Sequence, residues 1–532
     1  MKGQAAAPRC AISRTLGLPG VCFLMWMLSG GVGCTKLLRA DEASFAFSAD
    51  ADSSPNQPPM AVCDFVGDPL YLKADEPRSS AWFGMGLAAS NNHLVVSAPL
   101  ELASSKAVPE SLGPASACVD RGPRDMDVVG AGRIRDYERI DNGWPEEKLV
   151  VSDAAFIHPI VPKAAFQGSL KSGNFATYSI ASSEDYIVVG TGGDSINGPL
   201  RGSVRVFRRQ AGTWSEQGAR IQSPKAADND LFGSSVALSG NLLVVGAPFE
   251  NSNGIEDSGA AYVYGLTDSG FLFVQRLESA SPAKWGWFGA SVAISSDWIA
   301  VGAPGALGFA GASTGAVHLY RRHPPDHEVE LPGDLLPAPG IGPGGFGLSI
   351  ALSGDRLAVG APADDCPDSG MINSAGAVYV YSHVTDFQVS TWLYPRCLDS
   401  RDNHSALFGW SVALNANTLV VGAPFSSGPW RGFESQLVAD ASSGGHFYDS
   451  SGSVYVFSLR NGGLPDAACR IQAPNTDACD VFGDSVAVAD DYFAVGAPTE
   501  DGQQGGVGRP DTENGLMDSG AVYIYAMRSG AP

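Results

Sequence analysis

The sequence is poor in basic residues. Lysine and arginine total 34, whereas aspartate and glutamate total 56, so the formal net charge at pH 7 is −22. Proteins that bind nucleic acid or anionic lipid surfaces need basic patches to neutralise phosphate groups. The charge balance therefore argues against a nucleic-acid partner and against direct binding to an anionic membrane face.

Histidine is also scarce, and the motifs of zinc sites are missing. The eight histidines are scattered, none forms a His-Glu-x-x-His motif, and no two cysteines are spaced as Cys-x-x-Cys. Zinc sites need histidine, cysteine and carboxylate ligands that converge on one point. The sequence therefore gives no support to a zinc hydrolase.

Long segments with helical periodicity are missing as well. Short apolar blocks rich in Val, Ile, Leu, Tyr and Phe are separated by Gly, Pro, Asn, Asp and Ser, and the chain contains 65 glycines and 35 prolines. Such blocks are typical of strands, and the residues between them are typical of turns. The composition predicts a turn-dense, all-β protein.

One pattern recurs along the chain. A Phe-Gly-x-Ser-Val-Ala signal is followed by an ending similar to Val-Gly-Ala-Pro and then by a run similar to Gly-Ala-Val-Tyr-Val-Tyr. The phenylalanines that mark the copies are Phe83, Phe175, Phe232, Phe288, Phe346, Phe408 and Phe482. Recurrence of this kind indicates one supersecondary unit that is repeated many times.

Each copy contains four predicted strands. In the third copy they are Ser235–Ser239, Leu242–Gly246, Ala260–Tyr264 and Phe271–Arg276. Gly240 and Asn241 separate the first two, which is a tight-hairpin signal. A four-stranded antiparallel meander of this size corresponds to one blade of a propeller.

The last copy lacks a fourth strand. It ends with the third-strand run Gly520–Tyr525, and few residues follow. A strand-like segment, Pro69–Lys73, precedes the first Phe-Gly and resembles the fourth strands of the other copies. Placing this segment in the last blade removes an open sheet edge. The sequence therefore predicts a closed ring rather than an open solenoid.

The Phe-Gly and Gly-Ala-Pro units resemble the FG-GAP repeats of the integrin α-subunit head, over residues 61–527. The resemblance implies an all-β, seven-bladed β-propeller of four-stranded antiparallel blades, closed by an N-terminal strand in the last blade. The third to seventh copies keep both signals. The second copy departs most, with Phe175-Ala176 and Gly190-Thr191-Gly192 in their places.

Residues 1–34 resemble a signal peptide, with basic residues ahead of an interrupted apolar segment. Their last four residues, Gly31–Cys34, resemble the lipobox of bacterial lipoproteins. Lipidation of Cys34 and ordinary signal-peptide cleavage are the two alternatives. Residues 35–60 are polar and acidic and predict a flexible tether. We therefore expect a cell-envelope location, with membrane contact only through an N-terminal lipid anchor.

Six cysteines follow the signal segment. They are Cys63, Cys118, Cys366, Cys397, Cys469 and Cys479. An even number after a secretory signal favours disulfides. The three couples that are adjacent in sequence favour the pairings 63–118, 366–397 and 469–479.

The glycines of the Phe-Gly signals are predicted to be structural. They are Gly84, Gly233, Gly289, Gly347, Gly409 and Gly483. Their repetition implies a backbone position with positive φ or with no room for a Cβ atom.

Calcium is the one cofactor that the resemblance suggests, because integrin-like repeats often carry a calcium loop between strands. Asn251, Asn253 and Asp257 occupy the third, fifth and ninth positions of such a loop. Phe249 stands at the first position, where an acid is expected. A solvated turn without calcium is therefore the alternative.

Two catalytic motifs occur in contexts that exclude them. Gly342–Gly347 satisfies a dinucleotide-binding pattern and Gly311–Gly315 a nucleophile-elbow pattern, but neither lies between a strand and a helix. Trp82 and Trp287 directly precede Phe-Gly signals. These two residues either stack a sugar ring or pack between blades.

The sequence favours a non-enzymatic, monomeric binding or adhesion protein with a protein or glycan ligand. The predicted binding elements are the longest connections after the Ala-Pro position, at 100–127, 425–451 and 499–519. An extracellular carbohydrate-active enzyme would instead need carboxylates that converge near the ring axis. A purely structural envelope protein is the third alternative.

Overall fold

A computed structural model describes most of the repeat region. The described residues are 68–75, 77–99, 129–139, 147–157, 179–195, 197–306, 314–323, 328–335, 344–364, 375–381, 391–393, 406–427, 432–434, 450–460, 464–475, 477–508 and 515–527. All of them belong to the compact unit Asn56–Pro532. The signal segment with Cys34, the tether, Phe175 and four of the six predicted disulfide cysteines lie outside them. No helix in the described ranges is long and apolar enough to cross a membrane.

The described strands form seven antiparallel sheets, which confirms the predicted seven-bladed β-propeller. The first blade contains Leu87–Ala89, His93–Ala98, Val129–Glu138 and Glu147–Ile157, and the second contains Ile180–Ser182, Tyr186–Thr191, Ser203–Gln210 and Thr213–Glu216. The third contains Val236–Ser239, Leu242–Ala247, Ala260–Thr267 and Gly270–Leu277, and the fourth contains Ser291–Ile294, Trp298–Ala303, Ala316–His323 and Glu328–Leu335. The fifth contains Ser349–Ser353, Arg356–Ala361, Ala377–Tyr381 and Thr391–Leu393. The sixth contains Ser411–Leu414, Thr418–Ala423, Ser453–Arg460, Leu464–Gln472 and Gly432–Glu434, and the seventh contains Ser485–Val488, Tyr492–Ala497, Ala521–Ala526, Leu70–Lys73 and Gly506–Gly508.

The first strand of each blade lies innermost in the ring. Each first strand contacts the first strands of both neighbouring blades, and the series closes between the seventh blade and the first. The second strands are almost entirely buried, as in Leu242–Ala247. Apolar clusters fill the space between neighbouring sheets; one of them joins Leu72 and Val522 of the last blade to Phe83 and Leu94 of the first.

The N-terminal strand Leu70–Lys73 is the fourth strand of the last blade. It pairs antiparallel with Ala521–Ala526, with Leu72 opposite Val522. The buried ammonium of Lys73 lies 2.5 Å from Glu500 Oε2, in the same blade. A strand from the beginning of the chain therefore completes a sheet formed by its end.

Two blades carry a fifth strand that the repeat pattern does not predict. Gly432–Glu434 pairs with the outer strand Leu464–Gln472 of the sixth blade, and Gly506–Gly508 pairs with Leu70–Lys73 in the seventh. Both segments lie inside the long connections that the sequence analysis assigns to binding loops. Part of each connection therefore covers the outer edge of its own blade.

The Phe-Gly signals join neighbouring blades. Phe288 of the fourth blade forms a parallel bridge with Gly259, which precedes the third strand of the third blade. The serine of the repeat adds a second link, because Ser235 Oγ donates a hydrogen bond to the carbonyl oxygen of Gly289 in the next blade (2.8 Å). The same serine link closes the ring, where Ser485 Oγ donates to Gly84 O (2.6 Å).

These interblade links explain why glycine recurs after the phenylalanine. Gly233 has a φ of 92°, and a Cβ atom there would lie 2.4 Å from the carbonyl oxygen of Ser203 in the preceding blade. The other Phe-Gly glycines share both properties: Gly84, Gly289, Gly347, Gly409 and Gly483. Positive φ and close backbone approach both disfavour any residue with a side chain.

In the second copy the Phe-Gly signal has a different spacing from the first strand. The Gly190 N–H donates to Ser179 O, as the Gly246 N–H donates to Ser235 O, so Ser179 is the equivalent of Ser235. Counting back three residues from Ser179 ends at Ala176. In sequence, Phe175 stands four residues before Ser179, whereas Phe232 stands three before Ser235; Phe175 itself lies outside the described residues.

Cys469 and Cys479 are both disulfide-bonded and both buried. They are the only cysteines among the residues that the structure describes. The complete set of three pairings stays a prediction.

Candidate functional site

The long connections emerge at one end of the ring. In an antiparallel blade, the connection from the second strand to the third lies at the same end as the segment that enters the next first strand. The predicted loops at 100–127, 425–451 and 499–519 all join a second strand to a third. We call this end of the ring, with its Phe-Gly segments, the insert face.

The described inner strands of the ring contain no catalytic pair. The seven first strands contain no acidic or basic residue and no histidine or cysteine. One carboxyl group, Asp484, directly precedes a first strand, and its burial raises its pKa to about 7 although Trp410 of the sixth blade hydrogen-bonds to it. Glycoside hydrolysis needs two carboxyl groups across one bond. The described inner strands therefore lack the arrangement that the enzyme alternative requires.

Acidic residues three positions after the Gly-Ala of a second strand accept hydrogen bonds inside their own blades. Glu250 accepts hydrogen bonds from Arg276 Nε (2.9 Å) and from the hydroxyl of Tyr262. Glu500 is bound in the same way by Lys73, and Asp364 accepts a hydrogen bond from a tyrosine hydroxyl of its own blade. These carboxylates tie the second-to-third-strand connection to the third or fourth strand of the same blade.

The candidate calcium loop of the third blade is closed by hydrogen bonds of its own. Asn251 Oδ1 accepts from the Asp257 backbone N–H (2.8 Å), and Asn253 Nδ2 donates to Glu278 Oε1 (3.3 Å). No group of three or more His, Cys, Asp or Glu side chains that could hold a metal ion occurs in the described part of the chain. Because calcium would compete with these hydrogen bonds, the loop fits a rigid turn, and the calcium site stays a prediction.

The tryptophans named in the sequence analysis pack against protein, and a third tryptophan is exposed. Trp287 is 5% exposed and meets Phe249 edge to face with ring centroids 6.3 Å apart, and Trp82 is half-buried. Trp285 is 41% exposed. The prediction of interblade packing therefore describes Trp287 well, but the sequence analysis missed the exposed residue two positions earlier.

Trp285 lies on the insert face between the third and fourth blades. Its backbone N–H donates to Glu256 O (3.0 Å), within the candidate calcium loop. The Lys284 ammonium lies 4.2 Å from the centre of the indole ring and 2.8 Å from Glu256 Oε2. The hydrogen bond from Lys284 lowers the pKa of Glu256. We call Trp285, Lys284, Glu256 and Asp257 the tryptophan platform.

Trp285 occupies a position of the repeat that has a recurring backbone conformation. Trp285 stands three residues before a Phe-Gly phenylalanine and has a φ of 59°. Ser80, Asn229 and Cys479 occupy the equivalent positions of other blades, also with positive φ. A comparison of residues at that one position would have singled out the tryptophan.

Seven blades, with Phe-Gly segments bridging six of the seven junctions among the described residues, define a repeat-built β-propeller. The model of the FG-GAP repeat matches residues 214–264, 273–320, 342–381 and 468–525. The chain therefore contains FG-GAP repeats, and an integrin-α-like propeller fits its structure. No curated protein matches the chain significantly.

Proposed function

We propose that this protein is a non-enzymatic binding or adhesion protein of the cell envelope, and that it holds a protein or glycan ligand on the insert face. The observation that carries the proposal is the placement of the three predicted loops, each of which joins a second strand to a third. Insertions concentrated on one face of a repeat array commonly form its binding surface.

The chemistry of the described residues supports binding rather than turnover. The inner strands carry no titratable side chain, and the buried carboxylates of Glu250 and Glu500 are bound by a basic residue of their own blade. FG-GAP propellers offer a rigid scaffold for loops, and a scaffold of this kind needs no catalytic group. A carbohydrate-active enzyme remains the second candidate, for which Asp484 is the residue to test.

An extracellular location is consistent with the cysteines. Disulfides persist in oxidising compartments, and Cys469 and Cys479 are disulfide-bonded. The signal-like segment and Cys34 at its end support export and lipid anchoring. We therefore propose a lipid-anchored or secreted monomer, joined to the membrane only through its N-terminus.

The test compares loop variants on the two faces of the ring. Replacing 435–448 with a short Gly-Ser linker removes most of the sixth blade's insert and keeps Gly432–Glu434, which pairs with the outer strand. The control carries the same linker in the hairpin at Gly354, at the opposite end of the fifth blade. Both variants and the parent are applied to an array of extracellular proteins and glycans, and their melting temperatures are measured.

We expect both variants to melt close to the parent, and we expect only the insert-face variant to lose at least tenfold in affinity. Equal binding by the two variants would remove the sixth blade's insert from the proposed binding surface. Breakdown of an array glycan by the parent, lost on Asp484→Asn, would replace the binding proposal with the enzyme alternative.

A further inference from the structure

We propose that the tryptophan platform is a sugar-binding subsite for a neutral glycan, in which a pyranose ring stacks on Trp285 and its hydroxyl groups donate to Glu256. This inference rests on the proposed function and names the ligand class for one part of the insert face.

The backbone at Trp285 points to a role outside folding. Bulky residues are rare at positive φ, and smaller or more adaptable residues occupy the equivalent position elsewhere in this ring. Ser80 and Asn229 show that the turn itself needs no aromatic side chain. The turn therefore does not explain why this position carries a tryptophan.

The platform is rigid before any ligand arrives. The backbone N–H groups of Trp287 and Phe288 donate to Asp257 O and Ser258 O, both at 3.1 Å, which fixes the segment against the third blade. On the other side, Gly305 N–H donates to Gly286 O, and a Cβ atom at Gly305 would lie 1.9 Å from Trp285 O. A preformed aromatic surface loses little conformational freedom on binding.

The polar groups around the indole favour a neutral sugar. Glu256 is well exposed and pairs with Lys284, whose ammonium also lies over the indole ring and helps to hold it in place. Sugar hydroxyl groups donate hydrogen bonds to carboxylates, and the apolar face of a pyranose ring stacks on an aromatic surface. A sulfated or sialylated glycan carries negative charge. It would be repelled by Glu256 and Asp257 and by the net charge of −22 on the chain.

The test uses the purified full-length protein and an oligosaccharide array that contains neutral hexoses and N-acetylhexosamines, with sulfated and sialylated glycans for comparison. Trp285→Asn removes the stacking surface and introduces the residue that Asn229 places in the same conformation, so this variant should fold at least as stably as the parent. Trp285→Phe keeps a stacking surface. Leu272→Ala is the matched control, because Leu272 is 53% exposed on the outer strand of the neighbouring third blade.

We expect the parent to bind neutral glycans and Trp285→Asn to bind them at least tenfold more weakly at an unchanged melting temperature. Trp285→Phe should retain most of the affinity, and Leu272→Ala should bind like the parent. The inference is wrong if the parent binds no neutral glycan, or if Trp285→Asn binds as tightly as the parent. If the parent binds only a protein through the insert face, the sugar inference fails while the proposed function stands.

Discussion

Substituting one Phe-Gly glycine should weaken the whole ring, whereas substituting a turn glycine of the same blade should not. Gly233 and Gly240 both have positive φ, at 92° and 58°. A Cβ atom at Gly233 would lie 2.4 Å from Ser203 O, whereas a Cβ atom at Gly240 would have nothing within 4 Å. The pair Gly233→Ala and Gly240→Ala therefore separates backbone strain from the close contact between blades.

The magnitudes follow from these two contributions. An L-residue in the left-handed region costs about 1–2 kcal/mol, and alanine recovers about 0.4–1 kcal/mol by restricting the unfolded chain. Gly240→Ala should therefore lower the free energy of unfolding by about 1 kcal/mol or less. Gly233→Ala carries the same strain and must also push the blades apart, and overpacking of this kind adds roughly 1–3 kcal/mol.

Equilibrium unfolding in urea, followed by tryptophan fluorescence, measures both variants against the parent. We expect Gly233→Ala to lose about 2–4 kcal/mol, and a valine at the same position to lose more. If Gly233→Ala loses no more stability than Gly240→Ala, the Phe-Gly glycines do not hold the blades together as described.

Three further predictions concern a buried carboxyl group, a buried ion pair and the disulfides. Burial raises the pKa of Asp230 to about 6, so the folded state is favoured in acid and this contribution to stability is lost as the pH rises through 6. The variant Asp230→Asn removes the buried charge. It should raise the melting temperature at pH 8 by an amount equivalent to about 1–3 kcal/mol and change it little at pH 4. Lys73→Met should cost about 3–5 kcal/mol, because it leaves the Glu500 carboxylate buried without its cation, and adding Glu500→Gln should restore most of the loss in thermal unfolding. Peptide mapping of the non-reduced protein should find Cys469 joined to Cys479 and the other four cysteines in their sequence-adjacent couples, and pairings between distant blades would contradict the framework.

The sequence was sufficient for the architecture because each blade repeats its own local signals. Gly240-Asn241 predicts a hairpin, and the structure has strands Val236–Ser239 and Leu242–Ala247 on either side of it. The absent fourth strand of the last copy led to the N-terminal segment, which pairs there as Leu70–Lys73. Both features depend on residues that are neighbours in sequence or on the repeat period itself.

Features that depend on contacts between segments distant in sequence could not be predicted. The fifth strand Gly432–Glu434 is three residues long and is defined by its partner Leu464–Gln472, not by a pattern of its own. The hydrogen bond from Ser235 to Gly289 crosses between blades, so the repeat shows the serine but not its acceptor.

The tryptophan platform was missed for the same reason. Trp285 and Trp287 look equivalent in sequence, but packing against Phe249 buries one, whereas the turn at Gly286 leaves the other exposed. The fold around Gly305 and Glu256 decides which tryptophan a ligand can reach.

Hydrogen exchange of the protein with and without a ligand found on the array tests the central claim most directly, because it shows which face the ligand covers. The proposal predicts that slowed exchange is confined to the insert face, in the connections between second and third strands and in the segments around Glu256 and Trp285. Slowed exchange confined to the hairpins between first and second strands, such as the one at Gly354, would place the ligand on the opposite face and contradict the proposal.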